Sequence, residues 1–167
     1  MQIRDERPED VAAIQALTQK AFAGMPFSDG SEPGIILRLR EAGDLALSLV
    51  AVERDAIIGH VAFSPLRIAG ADGLWFGLGP ISVEPTRQKQ GVGRQLVSKG
   101  LERLRQQGAQ GCTLIGDPAV YAGMGFVSDG ALTYSDVPLQ YVQRIVFSGD
   151  APRGELHYAP AFAVAGD

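Results

Sequence analysis

The stretch Pro85-Thr86-Arg87-Gln88-Lys89-Gln90-Gly91-Val92-Gly93-Arg94 combines basic side chains, two glycines and the start of a helical pattern. The extended run Gly79–Val83 leads into it, so the segment reads as strand, turn and helix. Successive backbone N–H groups at such a turn face one concavity. The first helical turn adds donors without internal partners and the positive end of the helix dipole. Glycine admits positive φ and removes the Cβ that would hold an oxygen away. Arg87, Lys89 and Arg94 add attraction for anions. The pattern fits a phosphate cradle, and equally a tight turn with solvated basic side chains. It is neither a Walker loop, which needs Gly-Lys-Ser/Thr, nor a GxGxxG dinucleotide fingerprint.

Other chemistries are narrowed by what the chain contains. Cys112 is the single cysteine, so an internal disulfide and a cysteine-rich metal cage are excluded. His60 and His157 lie far apart in sequence and give no ligand spacing, so no metal is expected. Net charge is −4 and the basic run is local, which favours a small anionic ligand over nucleic acid. The N-terminus lacks an apolar signal core, and no run reaches the roughly 18 apolar residues of a membrane span. A cytoplasmic protein with no membrane partner is expected. With 167 residues, 46% of them hydrophobic, one domain over 1–167 is expected to bury a sizeable core.

These residues need elements to position them. Met1–Arg4 reads as a short strand, and Glu6–Asp10 as a helix start rich in acids with Pro8. Val11, Ile14, Leu17, Ala21 and Phe22 follow at helical spacing. Gly24–Gly30 is a loop, and Glu32–Ala42 is a second helix stopped by Gly43. Leu45–Glu53 and Ala56–Ser64 form a hairpin about Arg54-Asp55, and Leu74–Val83 is a third strand of that meander. Gly77, Gly79 and Pro80 mark a bulge or a closely approached backbone. Val92–Gln107 is a helix with Val92, Leu96, Val97, Leu101 and Leu104 on one stripe. Cys112–Ile115 is a strand, Ala119–Gly123 a short helix, and Phe126-Val127 and Tyr141–Phe147 are the last strands. Residues 163–167 are expected to fray. The fold class is α/β (α+β), with a mixed, mostly antiparallel sheet flanked by helices.

Gln88-Lys89-Gln90-Gly91-Val92-Gly93 resembles the Q/R-x-x-G-x-G/A motif of the GNAT family, the acetyl-coenzyme A-dependent N-acetyltransferases. Ile81–Pro85 resembles the strand end that precedes this motif in the family. "GDPAVYAGMGF" (116–126) looks like the family's later motif, and with "GELHYAPAF" (154–162) it is similar to the YhbS-like branch. The resemblance covers nearly the whole chain and is most specific at the two central motifs.

The resemblance implies acetyl-CoA as co-substrate. Gln88, Lys89, Gln90, Gly91, Val92, Gly93 and Arg94 would hold its pyrophosphate, and Ile81, Ser82 and Val83 would pair with its pantetheine arm, as a peptide adds to a sheet edge. Tyr121 would protonate the leaving thiolate, and a backbone N–H of Val83 or a neighbour would stabilise the carbonyl oxygen. The implied reaction is direct acetyl transfer to a primary amine, on a small molecule or a peptide. Removing the amine's proton falls to Glu84, the carboxylate nearest the strand end, or to His60, whose pKa suits the task. Core packing is the alternative for His60, Ile81, Val83 and Tyr121, and a surface or helix-entry role for Glu84. Trp75 and Phe76 either line the acceptor side or fill the core, and Cys112 is expected to be inert packing. Another acyl-CoA donor, or a CoA-binding sensor without catalysis, are the competing functions. A homodimer through the final strand and the "YAPAF" segment is a further implied option.

Overall fold

A computed structural model describes residues 1–26 and 28–164. Phe27, inside the expected first loop, and 165–167, most of the expected frayed end, lie outside the described residues. Strands β1 (Gln2–Asp5), β2 (Leu47–Glu53), β3 (Ala56–Ile68), β4 (Trp75–Val83), β5 (Gly111–Ile115) and β7 (Val142–Val146) stand side by side in the order β1-β2-β3-β4-β5-β7. A short β6 (Leu132–Thr133) pairs β8 (Gly154–His157), which pairs β3. The β4–β5 and β6–β8 pairings are parallel and the others antiparallel. The mixed, mostly antiparallel sheet expected from the sequence is present.

Helices α1 (Val11–Phe22) and α2 (Glu32–Ala42) lie between β1 and β2 in the chain, and α3 (Val92–Gln106) lies between β4 and β5. The α2 helix ends where Gly43 turns left-handed, at φ 77°. The α3 stripe packs on one sheet face: Leu96 and Leu104 are fully buried beside Phe63, Phe76, Cys112 and Leu114. Each such side chain contributes about 1.5–3 kcal/mol through burial. Ile14 of α1 and Ile36 of α2 cover the opposite face at Val50.

Two expectations need correction. Phe126-Val127 is not a strand; Val127 makes a single bridge to Arg144. Gly125, at φ 98°, turns the chain so that Phe126 packs inward, edge-on to Tyr121. The expected last strand is in fact followed by another, β8, whose His157 and Leu156 pair Arg67 and Ile68 of β3. The C-terminal "YAPAF" segment then packs on its own chain, where Ala159 and Ala161 meet Ile35 and Leu39 of α2.

Candidate active site

The site begins where two parallel strands part. Trp75, Phe76 and Gly77 of β4 pair Gly111, Cys112 and Thr113 of β5, and the ladder stops there. β4 continues with β3 as far as Val83 opposite Gly59, while Leu114 and Ile115 of β5 pair only β7. Gly79 (φ 134°) and Pro80 lie just past the parting, where the β3–β4 register shifts and Pro80 has no N–H to donate. The expected bulge is therefore present, just past the point where β4 leaves β5.

Backbone alternation decides which groups face the gap. The Glu84 N–H donates to Ile58 O at 2.8 Å. By antiparallel alternation the Ser82 amide and carbonyl face β3, and those of Ile81 and Val83 point into the gap. Their side chains point at right angles to this. Ile81 and Val83 lie beneath the first turn of α3, within 3.8 Å of where a Cβ on Gly93 would stand. Ser82 faces the other side of the sheet.

The glycine turn closes one end of the gap. Lys89 (φ 63°) and Gly91 (φ 88°) are both left-handed, and Gly91 is the N-cap of α3 with no side chain to cap it. The first N–H groups of α3 are left free to bind an anion. Gly93 has no positive φ, and an added Cβ there would meet only ordinary contacts at 3.6–3.8 Å. Nothing in the fold requires glycine at 93, so its small size matters to whatever lies outside the turn. The Val92 side chain is core, leaving only its backbone to the turn. The Gln88 amide donates to Val83 O at 3.2 Å, which ties the turn to the strand end. Arg87 is engaged by Glu53 and is not a free anion anchor. Arg94 donates to Gly123 O at 3.0 Å and so links the turn to the segment after Tyr121.

Tyr121 ends the short helix α4 (Pro118–Tyr121), which Asp117 caps by accepting from the Ala119 N–H at 2.9 Å. Its ring packs edge-on to Phe126 at 6.1 Å, and a Cβ on Gly116 would collide with it. Burial pushes the phenol pKa up, so the side chain is a protonated donor at neutral pH. Across the sheet, the Tyr158 ring covers Gly77 at the point of parting, and its burial likewise raises its phenol. Sequence reasoning missed Tyr158; its only signal was its place in "GELHYAPAF".

The two candidate bases share the sheet face turned away from α3. Glu84 is ion-paired with Lys20 of α1 at 2.5 Å. His60 is fully buried, with Nε2 2.8 Å from Ser48 Oγ. Burial lowers its pKa to about 4, with Glu6 opposing and Arg40 reinforcing that direction, so the near-neutral value expected to suit a base is not what the buried ring has. Trp75 and Phe76, left open between acceptor lining and core, are core. Cys112 is buried and its thiol pushed up, as expected of packing. Among the described residues no cluster of His, Cys, Asp and Glu forms a metal cage. No described helix is long and apolar enough to cross a membrane.

The model of the Acetyltransferase (GNAT) family matches residues 12–126. The chain is 39% identical over 127 residues to the uncharacterized N-acetyltransferase YhbS of Escherichia coli K12, spanning 75% of this chain and 73% of that protein. A GNAT family acetyltransferase from Brucella melitensis, solved in complex with acetyl-CoA, superposes with a TM-score of 0.86 at 43% identity, over 96% of this chain and 97% of that one. The E. coli YhbS structure, solved in complex with CoA, gives a TM-score of 0.88 at 32% identity, over 97% and 91% of the two chains.

Proposed function

Because the chain belongs to the GNAT family of acetyltransferases, we propose that it moves an acetyl group from acetyl-CoA to a primary amine by direct attack within a ternary complex. One observation carries this reading: β4 and β5 part at Gly77 and Thr113, and the gap runs to a left-handed glycine turn at the start of α3. The relatives solved with acetyl-CoA and CoA support the choice of donor. The turn from Gln88 to Arg94 holds the pyrophosphate through backbone N–H groups. The outward amide and carbonyl of Ile81 pair with the amide-bearing arm, as a strand would, while the Val83 carbonyl is held by the Gln88 amide.

The amine nitrogen attacks the thioester carbon, the N–C bond forms and the C–S bond breaks. The Val83 N–H donates to the carbonyl oxygen as it gains charge. Tyr121 gives its proton to the departing sulfur; its raised pKa keeps that proton in place until then. The amine's own proton goes to a group on the sheet face that carries Glu84 and His60. The acceptor is a small molecule or a peptide end, the chain acts as one domain over 1–167, and the protein works in the cytoplasm.

Calorimetric titration with acetyl-CoA tests the binding half. The native protein is expected to bind, and Gly91→Glu to weaken binding about 100-fold or more, because a carboxylate in a left-handed turn both strains the backbone and repels phosphate. Retained binding in the variant, with its circular dichroism unchanged, would sink the cradle assignment. Tyr121→Phe tests the chemical half. It is expected to leave affinity unchanged and to lower kcat about 100-fold. Unchanged turnover removes Tyr121 from the mechanism, and no turnover by the native protein on any amine favours a CoA-binding module instead.

A further inference from the structure

The reaction above uses the backbone of Arg94 and leaves its side chain unassigned. Arg94 stands in the first turn of α3, the turn whose N–H groups are free for an anion. By charge it would be a phosphate ligand. Its guanidinium is instead bound to protein: Nη2 donates to Gly123 O at 3.0 Å, 29 residues further along the chain. Between the two walls that this bond joins lies a cavity of about 410 Å³, lined by Arg94, Val97 and Leu101 of α3 and by Gly123, Met124 and Phe147. Among the described residues, no other hydrogen bond or ion pair joins α3 to the segment 116–125. Tyr121 and Met124 add apolar contact with the cluster that α3 covers.

Gly123 is shaped for this contact. It lies in the helical turn Ala122–Met124 and does not have a positive φ, so its backbone does not call for glycine. A Cβ added there would stand 2.7 Å from Arg94 Nη2 and would otherwise meet only the same guanidinium. The arginine, and not the turn, is what leaves no room for a side chain. Gly123 follows Tyr121 by two residues. The arc that carries Tyr121 is thus held at three points. Asp117 caps its start, and the Phe126 N–H donates to Tyr121 O at 3.3 Å. Arg94 holds it from the side of the glycine turn, with a charged donor that binds a carbonyl more strongly than a neutral one does.

We propose that Arg94 is a positioning residue: its guanidinium, fixed to Gly123 O, sets where the Tyr121 phenol stands relative to the cofactor that the first turn of α3 holds. The proposal rests on the transferase reading above. One helical turn then registers both ends of the reacting part of the cofactor. Its backbone N–H groups grip the pyrophosphate, and its arginine holds the arc that brings the acid to the sulfur. A phenol protonates a departing thiolate only within hydrogen-bond reach, so a displaced arc lowers turnover without touching the cradle. A misplacement of about 1 Å can cost about 100-fold, and an exposed tether backed by two other holds is expected to account for about fivefold. The side chain gives nothing to cofactor affinity, because its donor is spent on protein.

The test uses the full chain, native and with Gly123→Ala or Arg94→Gln. CoA release is followed with acetyl-CoA and three acceptor probes: n-propylamine, spermidine and a peptide with a free N-terminus. Gly123→Ala keeps the positive charge and only pushes the guanidinium off its carbonyl. It is expected to lower kcat about fivefold with KM for acetyl-CoA and the melting temperature unchanged, and Arg94→Gln to match it. In a Tyr121→Phe background neither substitution is expected to lower kcat further, because no acid is left to place. A full further loss in that background overturns the positioning role. A raised KM with kcat unchanged in Arg94→Gln makes the side chain a phosphate ligand and overturns it as well, as do unchanged kinetics in both variants. A native protein that binds acetyl-CoA but turns over none of the probes overturns the transferase reading, and this proposal with it.

Discussion

The two faces of the central sheet follow different rules. Toward α3 the inward side chains are apolar: Val61, Phe63, Phe76, Leu78, Cys112 and Leu114 close against Leu96, Val97 and Leu104. On the opposite face, His60, Ser64, Trp75, Ser82 and Thr113 each bring a buried polar atom without a hydrogen-bond partner among the described residues. An unpartnered buried polar group costs about 1–3 kcal/mol. A fold that needed only stability would not collect five on one face. Both faces carry apolar packing, the second through Ile14 and Ile36 at Val50 and through Leu66 with Trp75, but the second face also leaves donors and acceptors unpartnered beside the parting of β4 and β5.

The sharpest way to break this comparison is to truncate one residue on each face. Leu96→Ala removes a fully buried side chain and is expected to cost about 2–5 kcal/mol in urea unfolding. Ser82→Ala, equally buried, is expected to leave stability unchanged or slightly raised, since it deletes an unsatisfied hydroxyl. Equal losses at the two sites would end the distinction.

The polar face should also reveal itself in acid. His60 titrates at its ordinary 6.5 in the unfolded chain and at about 4 when folded. Between these values the unfolded chain binds the extra proton, so stability falls as pH falls through that window, by about 3 kcal/mol in total. Thermal unfolding of the native protein across the window should show this slope, added to that of the carboxylates. In His60→Gln the histidine part is expected to vanish; an identical slope would mean the ring is not held neutral.

A smaller effect sharpens the other side. Gly93→Ala places a methyl where the protein itself has room. Its melting temperature is expected to stay level while affinity for acetyl-CoA falls about tenfold, the pattern of a glycine kept for a ligand's approach. Unchanged affinity would return Gly93 to a purely structural role.

The α3 side was largely readable in the sequence. The stripe of Val92, Leu96, Val97, Leu101 and Leu104, the turn at Gly91 and the stop at Gly43 are local patterns, and local backbone geometry decides them. The turn's electrostatics were less readable. Arg87, counted as an anion anchor by type, is taken by Glu53, which stands 34 residues away in the chain. His60 and Glu84 stood out by residue type, but nothing local indicated that one meets Ser48 and the other Lys20. Phe126-Val127 looked extended from its composition, and the left-handed Gly125 with the packing of Phe126 on Tyr121 decided otherwise.

The sequence by itself determined where α2 and α3 run, that β4 meets α3 through a glycine turn suited to anions, and the two motifs shared with the family. These depend on periodicity, left-handed backbone and residue size, all encoded within a few positions. The tertiary structure alone decided the parting of β4 from β5 after Gly77, the return of β8 to β3, and the line from His60 through Ser48 to Glu6, whose last link joins residues 42 apart in sequence. A hydrogen-bond partner across strands depends on register, and register is set by the packing of both sheet faces at once.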